Sequence, residues 1–307
     1  HDALPISTVS RVAAGIRDFV GRRLAGLSEA CVEALSVAAV IGRRFDSSLL
    51  ARLIDARSTD QVTEVLCQAE KAGFIEELEN QVWQFTHVLV QEALYEDLPA
   101  ARRWDLHGQI ARLVEHEYTR QAPGHRGELL RHLFVGLGSP RATFADAERI
   151  VRLTVADAES ALTECAPERA PRVLGRTLRL VDTSGRFAAG DATLAELLHL
   201  QGRALHEAGR PEGRESLIRA FDLYASAGDT EHAVEVALAR SHHRLHSING
   251  EVAVSLGPVE ELRQRALSLV EPDSCDEGRL LSAGWDRDGL DRALRIARRE
   301  HDEVLET

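Results

Sequence analysis

Apolar residues recur at three- and four-residue spacing along nearly all of the 307-residue chain, and the rhythm breaks only once into short β-prone runs. Such spacing puts one apolar stripe on each of a series of helices and obliges those stripes to pack on one another. Leu24, Leu27, Cys31, Leu35, Ala38 and Ala39 make the first stripe, with Ser28 and Glu29 at its opening turn and Gly42 as its stop. Asp46 caps a short helix carrying Leu49, Leu50, Leu53 and Ile54. Asp60 begins a third with Val62, Val65, Leu66 and Ala69, which ends at Gly73.

The break follows at once. Phe74-Ile75-Glu76-Glu77-Leu78 and Val82-Trp83-Gln84-Phe85 are β-prone and joined by Glu79-Asn80-Gln81, which predicts a hairpin. Three helices followed by a two-stranded ribbon is the layout of a winged helix. The third helix offers Asp60, Glu64 and Glu70 against only Lys71, so its grip on phosphate is weak and a protein-contact or regulatory winged helix is expected over a DNA-binding one. The formal charge of −12 argues the same way for the whole chain.

Composition narrows the rest. With 44% hydrophobic, 28% charged and only 5% aromatic residues, this is an ordinary globular composition that favours helix packed on helix. Lys71 is the only lysine and has no glycine-rich turn beside it, so the chain contains no phosphate-binding loop of the G-x-x-x-x-G-K-[ST] form. Met is absent, which predicts an excerpt of a longer protein. His1-Asp2-Ala3-Leu4-Pro5-Ile6-Ser7 joins no later pattern and reads as a non-native, adapter-derived segment, the alternative being a native linker end. The longest uncharged apolar stretch, Ala34 to Gly42, is too short to span a bilayer, and no basic-then-apolar leader is present. Cys31, Cys67, Cys165 and Cys275 form no C-x-x-C pair; they predict reduced thiols, three of them at core or interface positions, in a cytoplasmic protein.

Helical spacing resumes with Val88, Val90, Ala93, Leu94 and Leu98, then Leu106, Ile110, Leu113 and Val114 beyond Pro99. Here the run Phe85-Thr86-His87-Val88-Leu89-Val90-Gln91-Glu92-Ala93-Leu94-Tyr95, with Leu98-Pro99, Arg102-Arg103 and Leu106-His107, resembles a segment of large bacterial signal-transduction ATPases of the STAND class. These include LuxR-type regulators with a large ATPase and the ATPases associated with adenylate cyclases. The resemblance extends over about Gly21 to Glu115 and is looser beyond. It implies an upstream AAA-like domain holding the Walker motifs, a restraining winged helix, and helical repeats that receive a signal. It also implies a role for His87: in related ATPases a histidine at the wing-to-helix junction touches the phosphates of bound ADP. The alternative for His87 is a bond to the wing backbone or a helix cap. Arg102 and Arg103 are expected at the surface, with phosphate or an acidic partner as the alternative.

Pro123-Gly124 and Gly136-Leu137-Gly138-Ser139-Pro140 bracket a helix around Gly127 to Val135. Beyond it the stripes come in pairs: Ala147 to Leu162, Ala170 to Val181, Leu194 to Leu205, Leu217 to Tyr224, and Ala233 to Leu238. Ala208-Gly209-Arg210, Ala227-Gly228-Asp229 and Ala283-Gly284-Trp285 resemble one another as junctions, each glycine being expected to end a helix in the left-handed conformation. Trp285 through Leu294 looks like the turn and second helix of a tetratricopeptide repeat, although no strict period emerges. Degenerate repeats of this kind stack into an array with a concave partner surface; the alternative is a plain helical bundle. The last helix, Leu290 to Leu305, lacks a terminal cap and is expected to continue into further chain.

Candidate chemistry is thin. No serine sits in a G-x-S-x-G elbow, and no H-E-x-x-H is present. His242 and His246 lie one helical turn apart but lack a third metal ligand, and Glu128 with His132 reads as an exposed one-turn pair. The expectation is therefore a mainly α chain: residues 1–7 non-native, 8–120 a winged-helix-like regulatory domain with a small β-hairpin and following helix, and 121–307 a tetratricopeptide-like α-solenoid. No catalytic or metal residue is expected, His87 is the single nucleotide-contact candidate, and any ATPase activity belongs upstream. The chain itself needs no cofactor; ATP or ADP and magnesium are implied for the intact parent. The expected partners are the upstream nucleotide domain and an inducer or protein on the repeats, with neither nucleic acid nor membrane bound by this segment. A repeat-based scaffold without a nucleotide switch is the alternative.

Overall fold

The computed structural model describes residues 21–54, 59–79, 81–118, 126–183, 187–239, 257–284 and 286–300. Two compact units divide between Asp146 and Ala147.

In the first unit, α1 (Glu29–Ile41) is followed by β1 (Arg44–Asp46), α2 (Ser47–Leu53), α3 (Thr59–Lys71), β2 (Ile75–Glu79) and β3 (Val82–Phe85). Ser28 caps α1 by accepting from the Cys31 N–H, and Asp46 caps α2 by accepting from the Ser48 N–H, so both predicted helix starts hold. Gly73, at φ 73°, ends α3, and the Phe74 N–H reaches back to the Ala69 carbonyl, a closing bond that the left-handed residue makes attainable. The sheet order is β1-β3-β2, all antiparallel, with Ile75 opposite Phe85 and Phe45 opposite Trp83. The predicted ribbon is thus two strands of a three-stranded winged-helix sheet. Phe45, Phe74, Ile75, Trp83 and Phe85 are buried, as are Leu35, Val37, Ala38 and Ile41 of α1, on which β1 packs.

Three helices complete this unit: α4 (Val88–Asp97), α5 (Ala100–Tyr118) and α6 (Arg126–Gly136). α4 and α5 both pack on α1, and α6 packs on α5. The α5–α6 approach is close because both helices present glycine, and a Cβ on Gly136 would stand 3.3 Å from the Gly108 nitrogen. Consequently the first unit runs on to Asp146, later than the expected boundary at 120/121.

The second unit is entirely helical among the described residues: α7 (Phe144–Thr163), α8 (Ala170–Thr183), α9 (Asp191–Glu207), α10 (Gly213–Ser226), α11 (Thr230–Leu238), α12 (Gly257–Leu267), α13 (Cys275–Ser282) and α14 (Arg287–Glu300). From α8 to α14 each helix packs on the next, while α10 also meets α12 and α11 meets α13. Contact with both the neighbour and the helix two along is the pattern of stacked helical hairpins, an α-solenoid. Its core runs through Ala158, Leu174, Leu197, Leu217, Phe221, Val234, Leu262 and Leu280. Thr154 on α7 and Thr177 on α8, both fully buried, satisfy each other across 2.8 Å.

The junction prediction holds twice and fails once. Gly209 (φ 71°) and Gly228 (φ 73°) end α9 and α10 in the left-handed region. Gly284 does not adopt it; it is small for another reason, since a Cβ there would stand 3.0 Å from the guanidinium carbon of buried Arg263. Arg263 donates to Glu260 and to the Leu280 carbonyl, and Gly284 leaves it room to do so. The left-handed cap after α7 falls instead to Cys165 (φ 55°), which is exposed. Cys31 is buried, and Cys67 and Cys275 are half-buried.

Candidate functional site

Two arrangements in the first unit could carry function: an exposed corner where the wing meets α4, and a buried polar chain behind it.

The corner is built by the wing. Phe85 is fully buried, Thr86 donates its hydroxyl to the Gly73 carbonyl at 2.9 Å, and its N–H bonds the Phe74 carbonyl. This fixes His87 as the N-cap residue of α4 in extended conformation, with its carbonyl accepting from the Val90 N–H. The imidazole makes no capping hydrogen bond and is exposed. Val88 and Leu89 follow it with 45% and 46% of their surface in solvent, while Val90 and Leu94 turn inward. The helix start thus presents an exposed imidazole that caps nothing, beside two apolar side chains. The helix is anchored on its other face, where Gln91 donates to the Ala39 carbonyl at 3.0 Å.

The buried chain was not read from the sequence. His107 on α5 and His132 on α6 are both 0% exposed, and their Nδ1 atoms stand 2.8 Å apart. The Nε2 of His107 meets the Tyr95 hydroxyl at 3.1 Å. The Nε2 of His132 meets Arg131 at 2.8 Å, and the same guanidinium nitrogen donates to the Ile41 carbonyl at the end of α1, 2.6 Å away. Arginine can only donate. His132 Nε2 therefore accepts, its proton lies on Nδ1, and that N–H donates to His107 Nδ1. The His107 proton is then on Nε2, donating to Tyr95. One guanidinium sets the tautomer of both rings, and four elements are tied by a single directed run of bonds. Arg103 stacks on the Tyr95 ring at 5.1 Å and bonds its carbonyl.

This corrects one expectation. His132 does not form an exposed pair with Glu128; its side chain is buried against His107 and Arg131. Each histidine sits on the apolar stripe of its helix, His107 with Ile110, Ala111 and Val114, and His132 with Leu129 and Leu133. Stripe position was the available signal. Arg102 behaves as a surface residue beside Glu33 at 3.9 Å. His242, His243, His246 and Trp285 lie outside the described residues.

Burial first, then the charges of Arg131 and Arg103, hold His107 below the ordinary histidine range; burial, Arg131 and His107 itself do the same for His132. In the second unit His199 behaves alike, pushed down to about 4 by burial and by Arg203 and His232, and its Nε2 has no hydrogen-bond partner among the described residues. All three fold neutral. Below the ordinary histidine pKa, near 6.5, the unfolded chain takes up protons that the folded chain cannot, so the stability they contribute is present above that value and lost as pH falls below it. His232, raised through its Asp229 bond, acts in the opposite sense, with stability lost as pH rises, but the pair is exposed and weighs little. Thermal midpoints taken in half-unit steps should therefore hold steady above pH 7 and fall increasingly steeply toward pH 4. The reverse slope over the same interval would mean the rings fold protonated.

Among the described residues no group of three His, Cys, Asp or Glu side chains could hold a metal ion, and no helix is long and apolar enough to cross a membrane. No family model matches the chain, and no curated protein matches it. Among solved structures it is similar to a signal transduction ATPase with numerous domains (STAND) protein with a tetratricopeptide repeat sensor from Pyrococcus horikoshii. All of this chain aligns there, at 12% identity and a TM-score of 0.37, and it spans 48% of that protein's length.

Proposed function

We propose that this chain is the regulatory and sensing part of a multidomain, ATP-dependent signalling protein, acting in the cytoplasm with control of transcription as its output. The observation that carries this reading is the corner at His87. The motif of the STAND-class regulators coincides here with an imidazole that caps nothing, at a helix start, beside exposed Val88 and Leu89. A helix N-terminus favours anions, and an imidazole there can donate to a phosphate oxygen. In this reading the apolar pair docks on the upstream nucleotide domain and His87 holds the ADP-bound, closed state. The buried histidine chain keeps α4 in register for that contact. The helical hairpins of the second unit bind the inducer or partner, and binding relieves the restraint.

In an intact parent containing the nucleotide domain, His87→Ala should raise the rate of ADP release by about tenfold or more, the scale of one lost charge-assisted hydrogen bond. It should also give output without inducer. Unchanged ADP retention together with unchanged output would leave the helical hairpins as a scaffold without a nucleotide switch.

A further inference from the structure

α14 packs on α13, whereas α10 meets α9, α11 and α12. Its inner face is closed, with Ala293, Ile296 and Ala297 each 2% exposed or less. On the adjoining flank Leu290 and Leu294 stand one turn apart, with 39% and 37% of their surface in solvent. At about 100° per residue, Arg287, Asp291 and Arg298 come next around the cylinder, with Arg295 and Asp288 beyond them. All five are exposed, and none forms an ion pair among the described residues. The charges are ordered: Asp288 and Asp291 flank the leucines on the N-terminal side, Arg295 and Arg298 on the C-terminal side. A second α14 laid antiparallel presents that order reversed. A two-fold axis at the level of Arg292 sets Leu290 opposite the partner's Leu294. At about 1.5 Å per residue, Asp291 then lies about 3 Å along the helix from the partner's Arg295, and Asp288 about 3 Å from the partner's Arg298, well within side-chain reach. A parallel pairing would set acid against acid and arginine against arginine.

From this geometry we infer that the exposed flank of α14 binds the α14 of a second copy of the chain, antiparallel about that axis. The leucines form the centre of the contact and the ion pairs its rim, the same patch serving both copies. With one 14-residue helix from each copy, the contact is smaller than a standard interface, so the dimer is weak, with a Kd on the order of 10–100 µM. Arg287 is the misfit: it falls about 1.5 Å along the helix from the partner's Arg298, a like charge. This inference concerns the second unit alone and does not depend on the nucleotide reading of His87.

The test is sedimentation equilibrium of the whole 307-residue chain between about 5 and 500 µM, with circular dichroism confirming that each variant folds. A reversible monomer–dimer equilibrium is expected. Leu290→Glu and Leu294→Glu, both at exposed positions, should each weaken it by about tenfold or more. Asp291→Arg alone, or Arg295→Asp alone, should weaken it by about tenfold, and the two together should restore it to within about threefold of the parent, because the pair re-forms across the axis with its signs exchanged. An acidic start and a basic end also suit the helix dipole, but a dipole effect would leave the exchanged variant no better than either single one. Arg287→Glu replaces the like charge beside the partner's Arg298 with an opposite one and should tighten the dimer several-fold. That variant tests the same register should a leucine variant fail to fold. A monomer throughout the concentration range would overturn the proposal and leave the flank to a helix of some other chain. A dimer indifferent to both leucine substitutions would place the contact elsewhere, and an exchanged variant as weak as the single ones would overturn the antiparallel register.

Discussion

Alanine at position 132 should destabilise the first unit by about 3 kcal/mol, the combined cost of a cavity and of polar groups left without partners. The ring of His132 is fully buried between α5 and α6. Its removal leaves the Nδ1 of His107 without its donor and takes the acceptor from an Arg131 nitrogen that otherwise serves both His132 and the Ile41 carbonyl. The double variant His107→Leu with His132→Leu should recover most of the loss, because two apolar side chains of similar bulk leave no orphan between the rings. Urea unfolding followed by the fluorescence of Trp83 and Trp104, in a Trp285→Phe background, reads this unit alone, as those two tryptophans lie within it. A loss under about 1 kcal/mol for His132→Ala would show that water replaces the ring and that the directed chain of bonds is not what ties α6 to α1. A double variant as unstable as the single would show that the packing shape, not the hydrogen bond, carries the effect.

The second large effect is expected at Gly213→Ala. A Cβ built there stands 2.7 Å from the Gly202 carbonyl oxygen and 3.0 Å from the His206 nitrogen, both backbone atoms of α9 that cannot rotate away. Gly202 faces it, its own missing Cβ leaving room for the Leu217 side chain, within 2.5 Å of where that Cβ would lie. The two helices touch backbone to backbone, so a single methyl must push them apart along their packed length. That costs about 2–3 kcal/mol, although alanine has the higher helix propensity. The expected result is faster amide hydrogen exchange through α9 and α10, with the first unit unaffected. Protection equal to the parent chain would mean the helices separate without losing their core. By contrast Gly190→Ala meets no atom within 4 Å and should be close to neutral.

The local features of this chain were legible because they are short-range. Ser28, Asp46, Gly73, Gly209 and Gly228 act on backbone groups within five residues, and each does in the structure what its side chain, or lack of one, dictates. The helical stripes likewise name their own buried faces. β1 escaped because three residues carry no period; Arg44–Asp46 is a strand only because β3 offers its edge. Gly284 escaped because its neighbour Arg263 arrives from another helix.

The same reasoning divides the candidate sites. His87 could be placed from its motif, and the structure adds that its side chain caps nothing and stands in solvent beside Val88 and Leu89. The histidine pair could not be placed. Its bonds span 25 residues from His107 to His132 and 90 from Arg131 to Ile41, and an isolated helix has no means of stating which distant polar atom will meet it. Sequence alone determined where helices start and stop and which faces are apolar, since those depend on local sterics and periodicity. Tertiary structure alone decided which polar groups are buried and which proton sits on which ring nitrogen, because each of those depends on atoms that only folding brings together.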